Sequence, residues 1–487
     1  MLEINNQYTA IRRRIDTEVL KLFFSGELED KIDSLPFEII PKDRIPSRCC
    51  IYKERAMVRY RIMALLGIDI ERFDDEEKPL KAYAKEVLEN NPPVLPLLTT
   101  ISTGCYGCPP DQYRISDACR GCFARPCMAN CPKDAISFIN GQAHINEERC
   151  IRCGKCMDVC PFHAVVHIPV PCEEACPVGA VKKNEKGVVE IDHKNCISCG
   201  RCSRSCPFGA IAEKSGLFPV VKMIKNQEKV IAMIAPAIEG QYPGTLSQIK
   251  SAILKAGFTD VIEVAEGAEV TAIHEAEEVQ HKKANGEGYM TTSCCPAYME
   301  LVNKHLTFLK ERYSDAYSPM IYTAKLAREK FGDDVKCVFI GPCLAKRVEA
   351  VRKGGVDGVI TFSELAAIFM AKGIDVREEE AADLGDTTKF ADCREFAVST
   401  GVAGCVLSRV EDPASIRTQP INGVDKKMFR LMKTWEKRAP EVDLIEVMCC
   451  EEGCLNGPGT IVKPMVAKKL RGGNKAATPV KSVKSSI

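Results

Sequence analysis

Thr292-Ser293-Cys294-Cys295-Pro296-Ala297-Tyr298 is the stretch on which the reading of this chain turns. Neighbouring side chains point in different directions, so two adjacent cysteines make a poor disulfide and a poor zinc site. One thiolate can bind a metal while the other stays beside it as an acid. Working outward, two later segments supply further thiols. They are Gly341-Pro342-Cys343-Leu344-Ala345-Lys346-Arg347-Val348-Glu349 and Glu446-Val447-Met448-Cys449-Cys450-Glu451-Glu452-Gly453-Cys454. The surrounding sequence alternates short apolar runs with helix-like stretches. Strands are expected at 230–236, 260–264, 289–291, 337–340 and 358–360, with a helix at 245–256. That alternation predicts parallel sheets with covering helices.

Upstream the cysteines crowd together: 16 of the chain's 27 fall between Cys105 and Cys206. Cys150, Cys153, Cys156 and Cys160-Pro161 have the spacing C-x2-C-x2-C-x3-C-P, and Cys196, Cys199, Cys202 and Cys206-Pro207 repeat it. Three thiolates so spaced wrap one face of an iron–sulfur cubane, while the fourth reaches the partner cluster. A variant, Cys119, Cys122, Cys127 and Cys131-Pro132, pairs with the motif at 150–160. Exchange of fourth ligands predicts one cluster on Cys119, Cys122, Cys127 and Cys160, and another on Cys150, Cys153, Cys156 and Cys131. The motif at 196–206 finds half a partner in Cys172 and Cys176-Pro177. Cys105 and Cys108 supply the missing C-x2-C, giving clusters on Cys105, Cys108, Cys172, Cys206 and on Cys196, Cys199, Cys202, Cys176. The alternative leaves Cys105 and Cys108 without a cluster, or on a separate zinc. The four Cys-Pro-x-x-Ala endings (CPKDA, CPFHA, CPVGA, CPFGA) mark two duplicated ferredoxin units.

Composition sets outer limits. In 487 residues, 67 Lys and Arg nearly cancel 66 Asp and Glu, so no global field favours nucleic acid or a membrane surface. No apolar run reaches 18 residues and the N-terminus lacks an apolar signal core, which predicts a soluble, cytoplasmic protein without a membrane span. A long chain of that kind keeps its thiols reduced, as metal ligands rather than disulfides. Residues 1–95 form a helical N-terminal region with no ligand pattern; its Cys49-Cys50 reads as two semi-buried apolar residues. Residues 96–215 are the ferredoxin-like region, 216–462 an α/β domain, and 463–487 a basic disordered tail. The fold class is therefore α+β and α/β multidomain. Cys337, Cys393, Cys405 and Cys449 lack spacing partners and read as core thiols.

From 230 to about 461, the segments TSCCPAY, GPCLAK..E and IEVMCCEEGCLNG, with YSDAYSP between the first two, resemble the signature segments of the FeFe-hydrogenases. Tyr298, Gly341 and Pro458 look most like the subgroup called group B. The resemblance implies a two-lobed catalytic domain holding an H-cluster, a 4Fe–4S cubane joined to a diiron unit with carbonyl, cyanide and azadithiolate ligands. Cys295, Cys343, Cys450 and Cys454 would hold the cubane, and Cys454 would bridge to the diiron unit. Cys294 would donate protons; Glu275, Glu278, Ser314 and Glu349 match relay positions. Lys346 is the implied cyanide partner, and Met448, Pro236 and Ala237 match cavity-lining positions. Met320 and Gly341 depart from better-known members, which puts the surroundings of the cluster in doubt.

The implied activity is reversible formation of H2 from two protons and two electrons, with electrons relayed through four additional 4Fe–4S clusters. Implied partners are a ferredoxin or flavoprotein and the hydrogenase maturation proteins. Two rivals remain: a hydrogen-sensing regulator, and an iron–sulfur carrier or assembly protein that never holds a diiron unit.

Overall fold

The computed structural model describes residues 7–73, 75, 77–105, 107–385 and 389–475. Its fold is mixed α/β and multidomain, built on two parallel sheets. Val230–Ile234, buried throughout, is the central strand of the first. Asp260–Glu263 lies on one side and Lys336–Gly341 on the other, followed by Gly358–Thr361, all parallel. A parallel strand covered on both faces reads as an unbroken apolar run, and VIAMI is one. Thr361 starts the helix Phe362–Ala371 with a capping box completed by Glu364. Buried Glu364 also pairs with Arg347 at 2.6 Å.

The second sheet has Leu444–Met448 at its centre, between Met290–Thr291 and Thr418–Asn422, again parallel. The apolar pattern predicts the strand at 289–291 but passes over 418–422 and 444–448. Pro420 interrupts the former, and Glu446 stands in the middle of the latter. Glu446 is fully buried because it accepts hydrogen bonds from the Thr400 and Ala403 N–H groups (2.7 and 2.8 Å) at the start of the helix Gly401–Leu407. A carboxylate in that position satisfies donors that would otherwise be orphaned.

The cysteine-rich region is two small units, one inserted in the other. Gln112–Ile115 pairs antiparallel with Val165–Ile168 and encloses the hairpin Ile136–Ile139/Gln142–Ile145. Outside it, Leu98–Thr100 pairs with Ile211–Glu213, and Val181–Lys183 with Val189–Ile191. The split between Cys105-x2-Cys108 and Cys172 thus has a cause in topology: the inner unit interrupts the motif of the outer one.

Helices Gln7–Ser25, Ile51–Leu65 and Leu80–Glu89 build most of the N-terminal region. Ile15, Val19, Leu20, Phe23, Ile62 and Leu65 share one continuous core with Phe218, Met233 and Ile340. Arg12 pairs with Glu213, and Arg61 donates to the carbonyls of Gly209 and Ile211, fastening these helices to the outer cluster unit as well. Two expectations need correction. Cys49 is exposed rather than semi-buried. The basic tail is not all irregular, because Pro464–Lys475 is a helix. Ala467 packs over Gly240, while buried Arg471 reaches Glu239 (3.2 Å) and Glu395 (3.5 Å), which neutralise it. Residues 476–487 of the expected tail lie outside the described residues. Among the described residues, no helix is long and apolar enough to cross a membrane.

Candidate metal centre and its cavity

Each cysteine segment of the C-terminal half follows the C-terminal end of a parallel strand. Thr292–Cys295 follows Met290–Thr291, Cys343 follows Lys336–Gly341, and Cys449–Cys454 follows Leu444–Met448; Pro236-Ala237 follows Val230–Ile234. Open α/β sheets bind ligands at such carboxyl ends. Here the ends of both sheets converge on one cavity. Its walls include Cys294, Cys295, Cys343, Cys450, Cys454 and Lys346, and also Pro236, Ala237 and Met448. Met320, Phe339, Phe396, Ala397 and Cys199 line it too.

The thiols behave as a set. Burial pushes Cys343 up to about 11 and Cys454 up to about 12, and in each case the charge of Cys295 adds to the rise. Cys450 rises well above the usual thiol range through burial and then through Cys343, Cys295 and Cys454. Four thiolates cannot gather in a dry pocket without a cation among them, so this donor set fits an iron–sulfur core. Cys295 is the exception, lowered to about 6 because the Cys449 thiol hydrogen-bonds to it. Cys449 is a core thiol, as the sequence reading has it, and also lines the cavity.

Cys294 is driven well above the usual thiol range by burial and by Glu275, so it stays protonated. Glu275 is fully buried on the helix Val264–Ala284; its Oε1 accepts from the Ser293 N–H (3.1 Å) and its Oε2 has no protein partner. Burial raises it from 4.5 to about 8, and the Ser293 N–H only partly offsets that. One turn along, Glu278 accepts from the Asp315 N–H (3.1 Å) and pairs with Lys282 (3.0 Å). Lys282 was missed in the sequence, although its i,i+4 spacing from Glu278 was there to be seen. Ser314 is buried on the adjoining segment, with Oγ accepting from the Ala316 N–H. Glu349 takes a different place: it pairs with Lys346 at 2.7 Å. The Lys346 ammonium also donates to Ser318 Oγ (2.9 Å) and to the Cys294 carbonyl (3.3 Å). Burial works to lower Lys346, but Glu349 more than offsets it and the ammonium persists.

Gly341 is explained by its neighbour. A Cβ there would stand 2.4 Å from the Phe339 ring, which occupies the cavity wall.

In the cysteine-rich region the four ligand sets come together. Cys172 is pushed up to about 12 by burial and then by Cys206, Cys105 and Cys108. Cys202 is raised by burial and then by Cys199, Cys196 and Cys176. Cys127 feels Cys122 and Cys160, and Cys119 packs against the same small core. Cys131 lines one pocket with Cys150, Cys153 and Cys156. The repeated Cys-Pro-x-x-Ala ending acquires a physical meaning. In each copy the alanine N–H donates to the cysteine four residues earlier: Ala135 to Cys131, Ala164 to Cys160, Ala180 to Cys176 and Ala210 to Cys206, at 3.2–3.4 Å. The residue before each alanine (Asp134, His163, Gly179, Gly209) has positive φ, which closes the turn around sulfur.

The outer unit docks on the cavity. Cys199 is part of the cavity wall, and Gly200 leaves room for Leu344 and Pro458. Arg201 donates to the carbonyls of Val424 (2.7 Å) and Cys449 (2.9 Å), and Arg204 to that of Asn456 (2.7 Å). No ligand spacing marks these arginines, and sequence reading passed over them.

Comparison with known proteins bears on residues 228–458 and on the cysteine-rich region. A profile described as the C-terminal domain of the iron only hydrogenase large subunit matches residues 228–458. The chain is an FeFe-hydrogenase-like protein. Upstream in this FeFe-hydrogenase-like chain, a 4Fe-4S binding domain matches residues 143–166 and an LdpA Fe-S cluster-binding domain matches residues 166–217. Iron hydrogenase 1 of Clostridium pasteurianum is 27% identical over 394 residues, 67% of each chain. An uncharacterized ferredoxin of Methanocaldococcus jannaschii is 39% identical over 56 residues, 12% of this chain and 34% of its own. Among solved structures, an apo FeFe-hydrogenase variant from Chlamydomonas reinhardtii aligns at 19% identity with a TM-score of 0.43, over 52% of this chain and 87% of that one.

Proposed function

We propose that the chain is a hydrogenase interconverting two protons and two electrons with H2. The observation that supports this most is the convergence of Cys294, Cys295, Cys343, Cys450, Cys454 and Lys346 on one cavity at the strand ends. Cys295, Cys343, Cys450 and Cys454 would hold a 4Fe–4S cubane, with Cys454 shared with a diiron unit. That diiron unit, with its carbonyl, cyanide and azadithiolate ligands, would supply the hydrogen chemistry when bound. Lys346 offers a cationic donor to cyanide, held in place by Glu349 and Ser318.

Protons move along the chain's own groups. Cys294, kept as a thiol, gives its proton into the cavity and is replenished from Glu275, whose unpartnered Oε2 is free to take part. Glu275 at about 8 exchanges protons near neutral pH, as a relay carboxyl must. Ser314 and Glu278 continue the path towards the surface, where Lys282 steadies the Glu278 charge. Electrons would enter through the inner unit, whose Cys153 is exposed, and pass to the set containing Cys105. From there they reach the set containing Cys199, which adjoins the cavity. A small ferredoxin or a flavoprotein is the electron partner expected at that exposed end, in a reducing cytoplasm, and maturation proteins would install the diiron unit.

Infrared spectroscopy of protein matured and purified without oxygen tests this reading. Carbonyl and cyanide stretches are expected, with H2 evolution from a reduced dye at enzymatic rates. Slow turnover with both bands present would instead favour a hydrogen sensor. If a control hydrogenase matures in parallel and these bands are absent, the chain is an iron–sulfur carrier and the catalytic roles fall.

A further inference from the structure

Cys393 and Cys405, without a spacing partner in the sequence, meet in the fold. Their Sγ atoms are 3.0 Å apart, and the side chains are 0% and 2% exposed. Cys393 opens the short helix Cys393–Ala397, and Cys405 lies in Gly401–Leu407, which packs against it. Around them stand Glu269, whose Oε2 accepts from the Cys393 thiol (3.1 Å), and Arg409, which donates to Cys393 Sγ (3.2 Å) and pairs with Glu269 and Asp392.

Two chemistries suit two thiols and a carboxylate, namely a metal ion and a disulfide. The Arg409 guanidinium decides between them. It occupies the space between Asp392, Glu269 and Cys393, so the carboxylates are already neutralised and a divalent cation would meet a positive charge. The sulfurs are also closer than two ligands on opposite corners of a metal, and about 1 Å from bonding distance. We propose that Cys393 and Cys405 are an oxidisable dithiol that a small peroxide closes to a disulfide.

The step balances. Glu269 takes the Cys393 proton while Arg409 stabilises the thiolate, which attacks one peroxide oxygen; the O–O bond breaks and the second oxygen leaves as hydroxide, which takes that proton back from Glu269 to become water. The Cys405 sulfur then displaces water from the Cys393 sulfenic acid, its own proton leaving with that oxygen. Two thiols and one H2O2 give one disulfide and two waters. Cys405 beside it, burial and Glu269 push the Cys393 thiol up, so the resting pair is the dithiol and needs a strong electrophile. Asp392 and Ser408, both exposed and joined at 3.2 Å, lie between the pair and solvent, and a peroxide would enter from that side. The consequence reaches the cavity. Phe396 and Ala397 of the same short helix are cavity wall, so the disulfide would fix that wall against Gly401–Leu407. The dithiol itself does not depend on what the cavity holds.

The test is a peptide map of the anaerobic, cluster-loaded protein after graded H2O2, quenched with iodoacetamide and digested with trypsin. The dithiol predicts that FADCR (390–394) linked to EFAVSTGVAGCVLSR (395–409) replaces the two alkylated peptides in most molecules. That species should form before the iron–sulfur absorbance bleaches. In Cys405→Ser the link should vanish and Cys393 should be trapped by dimedone as the sulfenic acid. Recovery of both peptides alkylated, at a dose that bleaches the clusters, overturns the proposal. So does linkage of Cys393 to Cys337 or to cluster cysteines as often as to Cys405. A tightly held zinc lost in the Cys393→Ser/Cys405→Ser double variant would also overturn it, in favour of a metal.

Discussion

The cluster units and the two parallel sheets both present buried cysteines, but they hold them in opposite ways. In the cluster units the thiols are the core. Cys105, Cys172, Cys176 and Cys202 are packed among a handful of aliphatics such as Val181 and Ile211, and the strands are three or four residues long. In the C-terminal half the cavity thiols Cys295, Cys343, Cys450 and Cys454 sit at the edge of the core, beyond strands already packed by Met233, Ile340, Phe362 and their neighbours. Units this small rarely fold on apolar burial alone. Iron should therefore be part of the folding of one region and a guest in the other.

The strongest way to break that contrast is to withhold iron. Protein made without it should show near-complete hydrogen exchange across 98–213 within minutes, because the metal supplies the missing folding free energy. Val230–Ile234 and Lys336–Gly341 should stay protected. Equal protection in both regions would show that the cluster units fold unaided and that the contrast is wrong.

A second comparison is within the cavity, between adjacent cysteines. Cys295→Ala should cost the protein one cubane of iron and all turnover. Cys294→Ala should keep the iron while hydrogen turnover drops by roughly 10²–10⁴, the range a positioned proton donor contributes. Iron analysis and dye-linked turnover on both variants separate the roles. Loss of iron in Cys294→Ala would remove the donor assignment.

Glu275 gives a smaller effect with a definite sign in pH. Folded, it holds its proton up to about 8; unfolded, it ionises near 4.5. Between those values the unfolded chain binds fewer protons, so stability falls as pH rises, by at most about 1.4 kcal/mol per unit. Glu275→Gln removes that slope, and the variant should gain on the wild type in denaturation midpoint from pH 5 to pH 8. Its turnover should fall about 100-fold, since an amide relays no proton. Parallel pH profiles would mean that Glu275 is ionised or idle.

The same contrast explains what the sequence disclosed. A cubane fixes its ligands by local spacing, so the cysteine motifs stand out in the sequence; arithmetic proposes the pairing of the split motif, and the fold brings Cys105, Cys108 and Cys206 near Cys172. The cavity is assembled from strand ends spread along the chain from Ile234 through Thr291 and Gly341 to Met448. Composition alone could suggest its sheets, and only the signature segments pointed to their meeting. Lys346 and Met448 travel with those segments. Phe396, Phe339 and the Cys393–Cys405 pair carry no local signal, and Glu446 hid a strand because its charge is satisfied by the start of a distant helix. The helix Pro464–Lys475 was read as tail because its anchors, Glu239 and Glu395, are remote in sequence.

The smallest effect concerns the seam where the two regions meet. Arg201 reaches from the cluster unit to the carbonyls of Val424 and Cys449, and so ties the Cys199 turn to the segment carrying Cys450. Two charge-assisted bonds at a half-buried site are worth about 1–3 kcal/mol. Arg201→Ala should leave the iron content and the infrared bands intact, because no ligand is touched. It should loosen the seam, raising hydrogen exchange at 196–206 several-fold and slowing reduction of the cavity cubane through the cluster units. Direct reduction by a small dye that reaches the cavity should change far less. If ferredoxin-driven and dye-driven turnover fall together, the arginine supports the catalytic fold itself. A fall in the ferredoxin route alone would show that the cluster units serve the cavity through this contact and that the two ways of holding cysteine meet there.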